Sequence, residues 1–111
     1  MEINITEHQG CDLVEIAGRI DSYTTPKIKK ILQRRMEDGH FNFVLNLRDV
    51  TYLSSSGILM FVNTQRKITK QNDGKIVFSE VPGLIFSNIK LAGFDQLFEF
   101  STDTQSAFSR F

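Results

Sequence analysis

Three consecutive serines, Ser54, Ser55 and Ser56, stand before Gly57 and the apolar run "ILMFV". Serine is unfavourable inside a helix but favoured at its start, where the side-chain oxygen accepts a hydrogen bond from a free backbone N–H. One hydroxyl is enough for such a cap. A phosphoryl group on another would carry about −1.5 to −2 charges, and an anion beside a helix N-terminus gains about 0.3–1 kcal/mol. The triplet is therefore either only a cap or a cap with a hydroxyl available for modification.

The sequence does not favour catalysis by these serines. The serine-elbow pattern has a glycine two positions before and two positions after the nucleophile, and "LSSSG" lacks the first. The segment "SNIK", residues 87–90, matches a serine-x-x-lysine spacing but lies in a predicted helix without the companion motifs. Neither a phosphate-binding loop nor a dinucleotide-binding fingerprint is present. We therefore expect no enzymatic activity and no cofactor.

Charge and composition narrow the possible partners. Thirteen basic and thirteen acidic side chains cancel, which argues against nucleic acid because phosphate binding needs a concentrated positive surface. The most basic segment, "KIKKILQRR" at residues 27–35, has helical periodicity and is interpreted as a solvated helix face rather than a polyanion site. The single cysteine, Cys11, excludes an internal disulfide and is expected to be a small apolar group in a strand. His8 and His40 lack metal-ligand spacing.

Neither a membrane span nor a secretion signal is expected. The longest apolar run, "ILMFV", is far too short to cross a bilayer. The first residues lack the charged start and apolar stretch of a signal peptide. These features predict a cytoplasmic protein without membrane insertion, folded as one domain over residues 1–111.

The first half of the chain predicts two strands, a helix and a central strand. "EINITEH" alternates apolar and polar residues, and "CDLVEIAGRI" follows a turn as its antiparallel partner. A helix begins near Thr25 and Pro26 and ends at Asp38-Gly39, because Ile28, Ile31, Leu32 and Met36 form one stripe. "FNFVLNL" has Phe41, Phe43, Leu45 and Leu47 on one face and Val44 on the other, which is typical of a central strand.

The second half predicts helices that alternate with short strands. A helix follows the serines to Asp73-Gly74, "KIVFSE" is a strand, and a further helix runs from near Pro82 to Gly93. "LFEF" is the last strand, and a terminal helix has Thr102 as its cap. The predicted order is β-β-α-β-α-β-α-β-α. It indicates an α/β fold with a small mixed sheet of four or five strands, packed by about four helices.

Three segments in this order resemble the STAS domain of bacterial anti-sigma factor antagonists. "GRIDSYTTPKIKKIL" resembles the segment that leads into the family's first helix. "FNFVLNLRDVTYLSSSGIL" resembles its central strand and serine signature, and "VPGLIFSNIKLAGFDQLFEF" resembles its closing segment. The resemblance covers essentially the whole chain and implies the STAS fold.

The resemblance also implies a partner-switching function. In this family the unphosphorylated antagonist binds an anti-sigma factor that is also a serine protein kinase, which frees a sigma factor. The kinase then phosphorylates the signature serine, and a serine phosphatase resets the cycle. In this chain Ser55 takes the phosphorylated position, with Ser56 and Ser54 as alternatives, because Ser54 replaces the acidic residue that usually precedes the target.

The resemblance places a partner-binding surface around this signature. It includes Asp21 and Ser22 in the adjoining loop, the serine triplet and Gly57, and the apolar residues Ile58, Met60 and Phe61. Asp21 has an alternative role as the cap of a turn. For Gly57 the turn is favoured over close approach of a kinase, and core burial explains most of the apolar run. A second hypothesis is a STAS scaffold or transporter-accessory protein without phosphorylation.

Overall fold

The computed structural model describes residues 1–111 and contains one five-stranded sheet, with the strands in their chain order. The strands are β1 (Glu2–His8), β2 (Cys11–Ile20), β3 (Asn42–Leu53), β4 (Lys75–Ser79) and β5 (Glu99–Ser101). The first two strands are antiparallel, and every later neighbouring pair is parallel. The predicted mixed sheet is confirmed, with five strands.

Four helices connect or follow these strands in the predicted order. They are α1 (Thr25–Glu37), α2 (Ser55–Asn72), α3 (Gly83–Leu91) and α4 (Thr104–Phe108), with a short 3-10 turn at Asp95–Leu97 before β5. The expected ends of α1 and α2 are confirmed. Asp38 follows α1 and precedes Gly39 at φ +89°, and Asp73 ends α2 in the left-handed region at φ +56°.

The helices divide unequally between the two faces of the sheet. Crossovers between parallel strands are right-handed, and the strand order never reverses, so α1, α2 and α3 lie on the same face. Their buried residues form one core with Phe43, Leu45 and Leu47 of β3. On the other face, Ala107 of α4 packs in a smaller cluster that includes Val44. The face assignment predicted for β3 is confirmed.

Three boundaries differ from the prediction, and each difference has a local cause. The last strand is Glu99–Ser101 rather than "LFEF", because Asp95–Leu97 form a 3-10 turn that includes the predicted first residue. Strand β3 continues beyond Leu47 to Leu53 because residues 49–53 pair with the end of β2. The cap of α4 is Asp103, not Thr102: the backbone of Asp103 is extended, and its Oδ1 accepts from the Ser106 N–H at 2.7 Å. Thr102 lies one residue too early. The longer β3 places the serines directly at the end of the sheet.

Candidate functional site

The site lies where the parallel strands β2 and β3 both end at their carboxyl termini. Ile20 and Leu53 are paired in the register, and the Ser54 N–H donates to the Ile20 carbonyl at 2.8 Å. The loop that begins at Asp21 therefore lies beside the serine triplet. The N-terminus of α2 follows β3 at this same end of the sheet. The structure brings the two predicted halves of the site together.

The three serines have different roles at the start of α2. Ser54 is the N-cap, and its Oγ accepts from the Gly57 N–H at 3.1 Å. The Ser54 and Ser56 hydroxyl oxygens are 2.8 Å apart and share a second hydrogen bond. The Ser55 side chain is exposed and has no hydrogen-bond partner within the chain. The predicted cap is thus Ser54, and Ser55 is the serine with a free hydroxyl.

The electrostatics at this helix start favour a negative group. The backbone N–H groups of the first turn lack intrahelical acceptors, and only that of Gly57 receives a side-chain cap. The first turn of α2 contains no acidic residue. The partial positive charge of the helix N-terminus at Ser55 and Ser56 therefore has no compensating carboxylate on its own helix. An anion bound to Ser55 would occupy a chemically suitable position.

Gly57 is required by close packing beneath the triplet. Gly57 is buried, and a Cβ at this position would lie 2.8 Å from Ile20 Cγ2 and 2.8 Å from Leu53 Cδ1. Both neighbours are fully or nearly fully buried, which leaves little room for adjustment. The absence of a side chain lets α2 begin against the ends of β2 and β3. Gly57 is therefore not an exposed partner contact in this structure, and it acts by placing the serines.

Asp21 organises the loop that borders the serines. Its Oδ1 accepts from the Tyr23 N–H at 3.0 Å and from the Thr24 N–H at 3.1 Å. The bond from Thr24 is the main reason why the pKa of Asp21 lies below its ordinary value. Ser22 and Tyr23 are exposed at the tip of this loop. The structural role of Asp21 is thus confirmed, while Ser22 has the exposure that a partner contact needs.

Arg19 and Tyr52 extend the border of the site on neighbouring strands. The Arg19 guanidinium lies 4.3 Å from the centre of the Tyr52 ring, and its Nε lies 3.7 Å from Asp21 Oδ2. These residues are paired in the register of β2 and β3. Sequence reasoning did not single them out, because only the pairing of the two strands brings residues 19 and 52 together.

The apolar residues of α2 are placed differently from the prediction. Ile58, Met60 and Phe61 are 3 %, 6 % and 1 % exposed, so their predicted contact with a partner is wrong for this structure. They belong to the main core cluster, together with residues of the sheet, α1 and α3. Leu59, which the sequence analysis did not select, is 49 % exposed in the first two turns of α2.

A separate polar cluster lies at the opposite end of the sheet, around Asp12. The Arg35 guanidinium contacts Asp12 at 2.9 and 3.1 Å and Glu7 at 2.7 Å, and His40 Nδ1 lies 3.2 Å from Asp12. Glu7, Asp12 and His40 have the ligand types and proximity of a metal site. However, the guanidinium already lies among them, and its contact with Asp12 raises the pKa of Arg35 further above its high ordinary value. This arrangement is an ion-pair network.

The fold and site together define a class of protein. It is a small α/β domain with three crossover helices on one face of the sheet, and the exposed Ser55 is the first residue of the second of these helices. The chain belongs to the STAS domain family, whose model matches residues 2–107. This is a regulatory, non-enzymatic family.

Three proteins illustrate the similarity. The anti-sigma-B factor antagonist of Staphylococcus aureus (strain NCTC 8325 / PS 47) is 28% identical over 92 residues, which are 83% of this chain and 84% of that protein. An anti-sigma factor antagonist from Mycobacterium paratuberculosis has a TM-score of 0.83 at 23% identity and covers 98% of this chain and 92% of its own. The Bacillus cell fate determinant SpoIIAA, in the phosphorylated form, has a TM-score of 0.74 at 13% identity, with 98% of both chains covered.

The four helices lack the properties of membrane spans. None of them combines the length and the apolar character needed to cross a membrane.

Proposed function

We propose that this chain is an anti-sigma factor antagonist controlled by phosphorylation of Ser55. The unphosphorylated form binds an anti-sigma factor that is also a serine protein kinase, and this binding releases a sigma factor. Phosphorylation of Ser55 ends the complex, and a serine phosphatase restores the active form. The name of the Staphylococcus aureus relative and the phosphorylated state of Bacillus SpoIIAA support this proposal.

The observation that carries the proposal is the division of labour among the three serines. Ser54 holds the Gly57 N–H, and Ser56 shares a hydrogen bond with Ser54. Only the Ser55 hydroxyl is both exposed and free of a partner in the chain. A kinase that acts on Ser55 disturbs no hydrogen bond of the chain, whereas modification of Ser54 would alter the hydroxyl that contacts both the Gly57 N–H and Ser56. This difference favours Ser55 over the two neighbouring serines.

The phosphoryl group is expected to act on the partner rather than on the fold. At the N-terminus of α2 it gains about 0.3–1 kcal/mol from the helix dipole. On the outside it adds about −1.5 to −2 charges where the bound partner approaches the first turn of α2. Release of the partner then follows from repulsion of acidic groups or from steric exclusion.

The test is incubation of the chain with ATP and the anti-sigma factor kinase of its source cell, followed by phosphosite mapping. We expect modification of Ser55 in the wild type and none in Ser55→Ala. Mapping to Ser54 or Ser56, or no modification, would contradict the assignment. Binding is tested with Ser55→Asp, which should weaken the complex, and with Ser87→Asp as a control at an exposed position on α3. Equal binding of both variants would count against charge-gated release.

Leu59 is the proposed apolar contact of this surface, in place of the buried residues that surround it. Truncation by Leu59→Ala should weaken partner binding several-fold and leave stability nearly unchanged, since half of the side chain is exposed. Leu84→Ala on α3 is the control, because Leu84 is also exposed, at 72 %. If both leucine variants bound like the wild type, Leu59 would not be part of the interface.

A further inference from the structure

Although the net charge of the chain is zero, its basic residues are concentrated on two helices, α1 and α2. Helices α1 and α2 contain eight of the thirteen basic residues, whereas Glu37 is their only acidic residue. Arg35 is paired with Asp12 and Glu7. The other seven cations are all exposed, and none of them forms an ion pair or a side-chain hydrogen bond within the chain. They are Lys27, Lys29, Lys30, Arg34, Arg66, Lys67 and Lys70.

Most of these cations share the outer surface of two neighbouring helices. Lys27, Lys30 and Arg34 follow the helical spacing of i, i+3 and i+7, on the side of α1 opposite the buried stripe of Ile28 and Leu32. Arg66 and Lys70, at i and i+4, likewise share the exposed side of α2. Helix α1 packs beside α2, and residues from the C-terminal halves of both line a shared groove. We call the outer surface of α1 and α2 that carries Lys27, Lys30, Arg34, Arg66 and Lys70 the basic helix face.

From this arrangement we infer that the basic helix face is an electrostatic docking surface for an acidic face of the anti-sigma factor. The inference rests on the proposed function and specifies one further property, namely that the partner's contact surface is acidic. Leu59 lies on the outer side of α2, one helical turn after Ser55 and two turns before Arg66. A partner that covers Ser55 and Leu59 therefore approaches the cations of the same helix directly.

The charges at the borders favour a protein over a long polyanion. Asp21 lies before α1, while Asp38 and Asp73 follow the C-termini of α1 and α2. The two helices are only about 20 and 27 Å long at 1.5 Å per residue. A nucleic acid that continued past either end would meet carboxylates, and so would an extended anionic membrane. An acidic protein patch of matching size would meet mainly cations, because Glu37 is the single carboxylate on the two helices.

Unpaired surface cations are well suited to accelerate association. Complementary charges raise association rates by roughly 10- to 1,000-fold at low salt, and the gain falls as ionic strength rises. Because the side chains of the basic helix face have no carboxylate partner to lose, docking costs no ion pair within the chain. The basic helix face is thus expected to act mainly on the rate of encounter, while Ser55 and Leu59 lie at the contact that phosphorylation disrupts.

The test measures association with the purified anti-sigma factor of the source cell at about 50 mM and about 500 mM NaCl. The altered pair is Lys30→Gln with Arg66→Gln. The control pair, Arg48→Gln with Lys90→Gln, removes the same charge from exposed positions elsewhere. We expect the altered pair to associate about tenfold more slowly at low salt and to approach the wild type at high salt. The control pair should change the rate much less.

Two results would overturn the inference while leaving the proposed function intact. One is that the wild type binds the anti-sigma factor and that the altered pair and the control pair slow association equally. The other is that the wild type binds a DNA duplex or phosphatidylglycerol vesicles and that the altered pair does not, although the altered pair still binds the anti-sigma factor normally. Failure of the wild type to bind the anti-sigma factor at either salt concentration would contradict the proposed function, and this docking surface with it.

Discussion

The hydroxyl oxygens of Ser54 and Ser56 lie 2.8 Å apart, on either side of a serine that neither of them contacts. Ser54 also accepts from the Gly57 N–H, so both hydrogen bonds of its hydroxyl are made within the first turn of α2. The same two bonds that secure the helix start leave Ser55 free. Ser54 and Ser56 therefore have a structural role at the helix start, while Ser55 between them has the proposed regulatory role.

Replacement of Ser54 by alanine is expected to lower the free energy of unfolding by about 1 kcal/mol, because the Gly57 N–H loses its acceptor. Urea denaturation of Ser54→Ala measures the loss. Ser55→Ala is the matched control and should lie within about 0.5 kcal/mol of the wild type, since its hydroxyl has no partner. Equal destabilisation by the two variants would show that the cap is not Ser54.

Replacement of Gly57 by alanine is expected to destabilise the fold by about 1–3 kcal/mol. The added Cβ would lie 2.8 Å from two buried side chains, those of Ile20 and Leu53. Thermal or urea unfolding of Gly57→Ala measures this cost. Gly83→Ala is the control, because a Cβ at that position meets no atom within 4 Å. A Gly57→Ala protein as stable as the control would mean that the strand ends can relax around the methyl group.

Removal of the Asp12 carboxylate charge is expected to cost about 1–3 kcal/mol of stability. Asp12 is 1% exposed and holds Arg35 through two hydrogen bonds, so Asp12→Asn leaves a partly buried guanidinium without its main partner. The exposed partner Glu7 supplies the control: Glu7→Gln should cost less than about 1 kcal/mol. Denaturant unfolding of both variants makes the comparison, and a larger effect at Glu7 would contradict it.

The turn held by Asp21 is expected to weaken in acid. Its pKa is lowered in the folded chain, mainly by the hydrogen bond from Thr24, so the ionised carboxylate stabilises the fold above the ordinary aspartate range. That stabilisation is lost as the pH falls through the lower folded pKa. Melting temperatures of the wild type and Asp21→Asn should therefore differ most near neutral pH and converge below the ordinary value of 3.8. A difference that grew on acidification would contradict this sign.

The regular elements could be predicted because each has a clear local pattern. The stripe that includes Ile28, Leu32 and Met36 places one side of α1 on the sheet, and the alternation in β3 separates Phe43 from Val44. Local rules were less successful at the ends. Thr102 and Asp103 are both capable caps, and only the backbone conformation selects Asp103.

The apolar run after the serines shows why the candidate surface could not be predicted in full. Five consecutive apolar residues cover every side of a helix, so their order does not indicate which of them faces solvent. Packing of α2 between its neighbours buries Ile58, Met60 and Phe61 and leaves Leu59 half exposed. The exposed leucine is a property of the assembled helix layer.

By itself, the sequence determined the order of the elements, the family and the position of the serines at a helix start, because these depend on local periodicity and short motifs. Only the tertiary structure decided which serine is free, which apolar residue is exposed and how the charges are divided. Strand pairing brings Asp21 beside Ser54, and helix packing puts the cations of α1 next to those of α2. These relationships join residues far apart in the chain, so they form only when the sheet and its helices assemble.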